Sequence, residues 1–262
     1  MTEINIFPKF MDSALTPVAS SVGNTLSAVW NIAFGGIDSY SQRLDHKRAV
    51  NLNQFKDELD KKVSAIPKEK LTEPPLHVIG PTFEASKFYF ENRDLRSMFV
   101  SLIASSINKD KSNDVHPAFV EIIKQLHTDE AKIIEKFYER AFPLIDIRAV
   151  FQNGGMINLA LNFSDIGEKV NCIAPLSIGT YIVNLERLGL ISIENTELMD
   201  PKIYDELLEH PIITEARYRD DIIGNQEPII IKKHFRVTPF GIQFYRICCE
   251  QYEHTSLYQF EE

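Results

Sequence analysis

Hydrophobic residues recur at helical spacing on both sides of a short polar turn in the middle of the chain. Leu95, Met98, Phe99, Leu102, Ile103 and Ile107 form one apolar stripe, and Phe119, Ile122, Ile123 and Leu126 form another. Lys109 to Asp114 separates them, and His116-Pro117 stands at the joint. Proline suits the first turn of a helix, where its missing N–H would be unsatisfied anyway. The pattern therefore predicts two packed helices, with Pro117 starting the second, His116 capping it or packing on Phe119, and Phe119 anchoring it in the core. Upstream, Leu44, Leu52, Phe55, Leu59 and Val63 mark a thin seam on a charged helix from Gln42 to Val63. Three prolines within Thr72 to Pro81 predict an extended connector, and Phe83 to Glu91 then starts the next helix, its Phe88, Tyr89 and Phe90 reading as core. Thr128-Asp129-Glu130 caps a further helix through Ala141, with Ile133, Ile134, Phe137, Tyr138 and Ala141 facing inward.

Beyond that helix the period changes. Leu144 to Phe151 and Ile157 to Phe163 read as strand-like segments about a turn at Asn153-Gly154-Gly155. Leu176 to Leu188 is helical, with Gly189 at its C-cap, and runs into a strand from Leu190 to Ile193. Asp200-Pro201 opens an inserted helix through Glu209, and a polar loop runs from Arg217 to Glu227. Ile229 to Val237 is a further strand, and Thr238-Pro239 caps a closing helix. This order predicts a mainly α protein with a small antiparallel β part, built as an N-terminal helical region plus a winged-helix-like C-terminal domain. The expected divisions are an apolar or amphipathic segment at 1–41, a helical region at 42–117 with a Pro-rich connector at 66–81, and a winged-helix-like domain at 118–262 with an insertion in the wing at about 195–228.

Residues 13–37 contain no charged side chain and are fenced by Asp12 and Asp38. The length allows a membrane span, but Pro17, Gly23, Asn24, Asn31 and repeated Ser and Thr make the stretch too polar for one. After a break at Gly23, Leu26, Val29, Trp30, Ala33 and Phe34 share one helical face. That face suits an interfacial or triggered membrane contact, a partner, or the protein's own core. The missing basic residues on the polar face favour the core or self-association.

Charge narrows the partners. The net charge of −9 is carried by the second half, since residues 1–118 hold 14 Lys and Arg against 14 Asp and Glu, and residues 119–262 hold 14 against 23. A basic partner fits this balance better than a phosphate backbone. Between Ser177 and Gly189 the charged residues are Glu186 and Arg187, too few for a groove-reading helix. Lys232, Lys233 and Arg236, with His234 and Arg246, are the candidates for a nucleic-acid contact on the wing.

Chemistry is sparse. Cys172, Cys248 and Cys249 form no Cys-x-x-Cys pair, no His/Cys cluster has metal-ligand spacing, and Gly35-Gly36 and Gly154-Gly155 lack the setting of a phosphate loop. Adjacent pairs such as Asp57-Glu58 and Asp220-Asp221 diverge on a helix and read as solvated charge. The expectation is a cytoplasmic protein, at most peripheral to the inner membrane, with no cofactor, no metal and no catalytic residue.

The order "leucine-arginine, apolar helix, polar turn, HPAF, EIIKQL, polar cap, DEA" from Leu95 to Ala131 resembles the Abi-alpha family, small bacterial proteins grouped with abortive infection against phage. The punctuation Ile66-Pro67, Leu71, Pro74-Pro75 and Gly80-Pro81 extends the resemblance upstream. It implies a mainly helical protein of phage resistance whose family definition names no reaction. The expected function is an abortive-infection protein acting through protein contacts, a phage-derived trigger included, with a toxin-like effector bearing a membrane-active N-terminal segment as its sharper form. The alternatives are a winged-helix transcriptional regulator and a non-enzymatic oligomerising protein. His116, Pro117, Phe119, Pro74, Pro75, Gly80 and Pro81 are the structural positions of the family motif; Leu26, Val29, Trp30 and Phe34 are the membrane or partner candidates.

Overall fold

The computed structural model describes residues 10, 16–34, 46–139, 141–151, 154–217 and 228–249. The ends of the uncharged segment, the Asn153 turn position, and the part of the polar loop from Tyr218 to Glu227 lie outside these residues. The chain forms two compact units. The first takes residues up to Thr128 and again from Gln243, and the second is Asp129–Ile242.

The first unit is helical, with α1 at Pro17–Phe34, α2 at His46–Ser64, α3 at Leu76–Ser86, α4 at Arg93–Ser106 and α5 at Ala118–Gln125. Helix α1 runs unbroken through Gly23, which is buried, so the expected break at that residue is corrected. Thr16 caps it, its hydroxyl accepting the Ala19 amide at 3.2 Å. Asn92 does the same for α4, accepting from the amides of Asp94 and Leu95 at 3.1 and 3.2 Å. Helix α4 buries Leu95, Met98, Phe99, Leu102 and Ile103, the stripe the spacing predicts. The Arg96 guanidinium is buried beneath it and bonds both Glu58 oxygens, at 2.8 and 3.0 Å, and the Phe90 carbonyl at 3.0 Å.

The proline-rich stretch is extended only as far as Pro75. Helix α3 then begins at Leu76 and carries Pro81 in its interior. Pro81 leaves the His77 carbonyl without a helical donor, at a cost of about 3 kcal/mol by the usual rule. Burial of Val78, Ile79 and Phe83 on one face offsets it. The predicted helix from Phe83 to Glu91 is likewise corrected. Helix α3 stops at Ser86, turns follow, and Phe88 is 77% exposed while Phe90 is fully buried.

The second unit opens with the body of α6, Thr128–Ile134, followed by a 3₁₀ turn at Phe137–Glu139 and strand β1 at Ala141–Val150. The helix expected to reach Ala141 therefore ends seven residues early, at Ile134, Tyr138 is half exposed, and Ala141 is the first strand residue. Pro143 is incompatible with a helix running on through Phe142, because it disfavours the helical region for the residue before it. Strand β2, Met156–Phe163, precedes the short helix α7, Ile166–Lys169. Next come α8 at Ile178–Arg187 and strand β3 at Ile191–Glu194. The insertion holds α9, Asp205–Leu208, and a second helix, α10 at Pro211–Arg217, which leads up to the expected polar loop. Strand β4, Ile229–Val237, returns beside β1, and α11, Pro239–Cys248, closes the described chain.

The four strands form one antiparallel sheet in the order β2-β1-β4-β3. Strand β1 pairs β4 without interruption from Ala141↔Arg236 to Arg148↔Ile229. Pairing with β2 starts only at Ile145, so Pro143 lies where no second ladder needs its N–H. Phe142 and Phe235, directly opposite, stack at 4.8 Å. Gly189 has φ +74 and ends α8, its amide bonding the Glu186 carbonyl at 2.8 Å. The protein is thus mainly α with a small antiparallel sheet.

Candidate functional site

The motif around His116 builds a joint. Pro117 stands at the N-cap of α5 in helical conformation, and the His116 ring nitrogen Nδ1 accepts the Ala118 amide at 3.1 Å. The imidazole also lies 5.9 Å from the Phe119 ring. Phe119 is fully buried and meets Phe244 edge-on at 5.3 Å. Pro74 and Pro75 lead into α3, Gly80 and Pro81 lie within it, and the space where a Gly80 side chain would stand is open. These residues start and pack helices.

The N-terminal apolar face is folded inward. Leu26, Trp30 and Phe34 are at most 1% exposed, and Val29 is half-buried. Trp30 lies 4.4 Å from Phe34, stacks on Phe55 at 5.6 Å and meets Phe83 edge-on at 5.9 Å. Four aromatic rings from α1, α2 and α3 thereby share one cluster in the first unit. Among the described residues no helix is long and apolar enough to cross a membrane.

The basic candidates do not converge. Adjacent strand residues point to opposite faces, so Lys232 and Lys233 separate. Lys233 is buried, and its ammonium lies 2.7 Å from Asp146 Oδ1 and 2.6 Å from Asn162 Oδ1. Asp146 Oδ1 also accepts the Asn162 amide at 2.9 Å, which fixes Asn162 at φ +53 beside an irregularity in the β1–β2 register. Lys233 is therefore a structural cation rather than a free donor for phosphate, which corrects its place among the nucleic-acid candidates. Lys232 covers the Tyr204 ring at 5.3 Å, His234 is buried with Nδ1 on the Thr196 carbonyl at 2.7 Å, and Arg236 is exposed. Arg246 belongs to the first unit.

One heavily partnered titratable group in the second unit is a residue that sequence reasoning left as a helix cap. Asp129 is fully buried at the start of α6. Its carboxylate accepts the amides of Ile173 at 2.8 Å and Ala174 at 3.0 Å and the Tyr181 hydroxyl at 3.0 Å, with Lys132 at 3.4 Å. Beside it, buried Glu130 takes the Asn184 amide on both oxygens at 2.9 Å. Burial alone pushes the Asp129 carboxyl up, but the Ala174 and Ile173 amides, the Tyr181 hydroxyl and Lys132 outweigh it and hold it at about 2. Burial, and after it the Asp129 charge, push the Tyr181 phenol up to about 12 and the Cys172 thiol up to about 11. Near neutrality Asp129 is ionised while Tyr181 and Cys172 keep their protons. The cluster clamps the loop at Asn171–Ala174 and the face of α8 onto α6. Its partners lie 44 to 52 residues downstream, which is why no local pattern announced it.

Among the described residues no group of three or more His, Cys, Asp or Glu is arranged to hold a metal ion. A family model described as Abortive infection alpha matches residues 47–248. No curated protein matches the chain. An uncharacterized protein from the hydrocarbon-degrading marine bacterium Alcanivorax borkumensis SK2 is similar in structure over 53% of this chain and 94% of its own, at 15% identity and a TM-score of 0.34, too loose a likeness to carry an argument.

Proposed function

The chain belongs to the abortive infection alpha family, and from that membership we propose a phage-defence protein that acts through protein contacts rather than by turning over a substrate. The observation that carries this reading is the locked state of the Asp129 cluster. The Asp129 carboxylate spends its hydrogen bonds on two backbone amides and the Tyr181 hydroxyl of its own unit, and it stays ionised near neutrality. The motif positions His116, Pro117 and Phe119 support it as well, since they serve helix capping and packing. In the resting protein α1 is core, and engagement of a membrane by Trp30 would require a trigger that draws α1 out of its aromatic cluster. The order of α8, β3, β4 and α11 is read as a winged-helix scaffold rather than a groove reader, because Lys233 is committed to Asp146. The test is to infect cells with and without the protein and score plaques and survival of infected cells. Fewer plaques together with death of infected cells is expected; equal plaque counts overturn the defence reading.

A further inference from the structure

Asp146, Asn162 and Lys233 stand on the neighbouring strands β1, β2 and β4, with Asp146 on the middle one. Lys233 pairs across the ladder with Leu144, so it is a diagonal neighbour of Asp146 on one face of the sheet. The pairing of β1 with β2 passes from Ile145↔Phe163 to Ile147↔Ala160, which leaves Leu161 and Asn162 opposite the single residue Asp146. Such a bulge re-aims a side chain. Here it brings the Asn162 carboxamide to the Lys233 amine: Asn162 Oδ1 lies 2.6 Å from Lys233 Nζ, and Asp146 Oδ1 lies 2.7 Å from the same nitrogen. The Asn162 backbone amide, at φ +53, donates to that Asp146 oxygen at 2.9 Å and fixes the arrangement.

An amine, a carboxamide and a carboxylate in mutual contact are the nucleophile, the acyl group and the proton carrier of an aminolysis. Asn162 Cγ is one C=O bond beyond Oδ1 and therefore less than ~4 Å from Lys233 Nζ. A near-attack arrangement needs roughly 3 to 3.5 Å, so a small shift of one side chain closes the gap. The Nζ contact on Oδ1 polarises the carbonyl in the direction that attack requires. Lys233 and Asp146 are 6% and 3% exposed, which keeps water from competing for the acyl group. The other Asp146 oxygen, Oδ2, faces Arg148 Nη2 at 3.5 Å, so Oδ1 is the oxygen that exchanges protons with Lys233.

We propose that Lys233 and Asn162 join in an intramolecular isopeptide bond, with Asp146 as the proton carrier. Lys233 passes one proton to Asp146 Oδ1, and the freed Nζ lone pair attacks Asn162 Cγ. The Nζ–Cγ bond forms, Nζ gives a second proton to Nδ2, and the Cγ–Nδ2 bond breaks to release ammonia. Ammonia takes the proton held by Asp146 and leaves as ammonium, so Asp146 ends as the carboxylate it began as. No electron is exchanged, and the bond needs no oxidant. Asn162 lines an open recess between β2 and α8, which gives the ammonium a way out. Until the bond closes, the three groups are the buried ion pair and hydrogen bond described above. Once closed, it ties the outer strand β2 to β4 across β1 and links residues 71 apart in the sequence.

The intact mass of the purified full chain, followed as the folded protein ages at neutral pH, tests the bond. Wild type is expected to become lighter than its sequence mass by about 17 Da, one ammonia. Trypsin should then release the segment holding Asn162 joined to the segment holding Lys233, uncut after Lys233, and reductant should not separate them. Asn162→Gly removes the carboxamide while its backbone accepts the positive φ, and it should keep its full mass. Lys233→Met with Asp146→Leu, which removes the amine and the proton carrier together, should keep its full mass as well. Wild type held unfolded in urea should also keep it, because only folding brings the three strands together. Full mass in the aged wild type, ammonia lost without an Asn162–Lys233 peptide, or a loss that persists in Asn162→Gly overturns the proposal.

Discussion

The Tyr181 hydroxyl donates to Asp129 at 3.0 Å across 52 residues of sequence, and both side chains are buried. This bond places α8 against the start of α6. Asp129→Ala leaves two backbone amides and the phenol without an acceptor, and a loss of about 3 kcal/mol is expected. Tyr181→Phe removes one donor and should cost about 1.5 kcal/mol. A double-mutant cycle by urea denaturation should give a coupling of at least ~1 kcal/mol; additive losses would show that the two residues act independently.

The same cluster sets a pH dependence with a definite sign. Asp129 is lowered to about 2 from the ordinary 3.8, so its contribution is complete above the unfolded value and is lost as pH falls through that range toward 2. The expected loss is about 2 kcal/mol. Tyr181 is raised from 10.0 to about 12, so its contribution is complete below pH 10 and is lost as pH rises toward 12. Stability measured against pH should fall at both ends, and Asp129→Asn should flatten the acid limb. An acid limb unchanged by that substitution contradicts the assignment.

Trp30 is the single tryptophan and is fully buried among Phe34, Phe55 and Phe83. Its fluorescence should be weakly quenched by acrylamide in buffer and unchanged by anionic vesicles. Trp30→Ala should cost about 4 kcal/mol, in the range for emptying a large aromatic site. Strong quenching in buffer, or a vesicle-dependent shift without any trigger, would show that α1 leaves the cluster on its own.

Lys233 and Asp146 are both nearly inaccessible, so removing one strands the other. Lys233→Ala should destabilise by about 4 kcal/mol, whereas Lys233→Met with Asp146→Leu should recover most of that loss. Lys232→Ala, at a cation over the Tyr204 ring, should cost under about 1 kcal/mol. Salt-sensitive duplex binding lost in Lys232→Ala with Lys233→Ala, but retained in the Lys233→Met, Asp146→Leu variant, would favour the nucleic-acid alternative instead.

What was legible in the sequence was periodic or punctuated. The stripes of α4 and α5 were readable because their apolar residues repeat every three to four positions, and Gly189 and Thr238 marked element ends by their own chemistry. Thr238 accepts the Gly241 amide at 2.9 Å, and a Cβ on Gly241 would lie 2.0 Å from the Leu190 carbonyl oxygen, so "VTPFG" encodes both a cap and a close approach. Helix α3 was obscured because Pro81 reads locally as a breaker, while the burial of Ile79 and Phe83 that outweighs it is a tertiary fact. Asp129 does stand in the first turn of its helix as its position implies, but its burial and that of Lys233 were hidden for one reason. A charge in a sequence carries no sign of burial, and the partners that permit burial lie far along the chain or across the sheet.

The defence reading is tested most directly by the number of phage released per infected cell, measured with colony survival in the same culture, with and without the chain. The account predicts that the chain lowers the burst while infected cells fail to form colonies. An undiminished burst from cells holding the folded protein would contradict it.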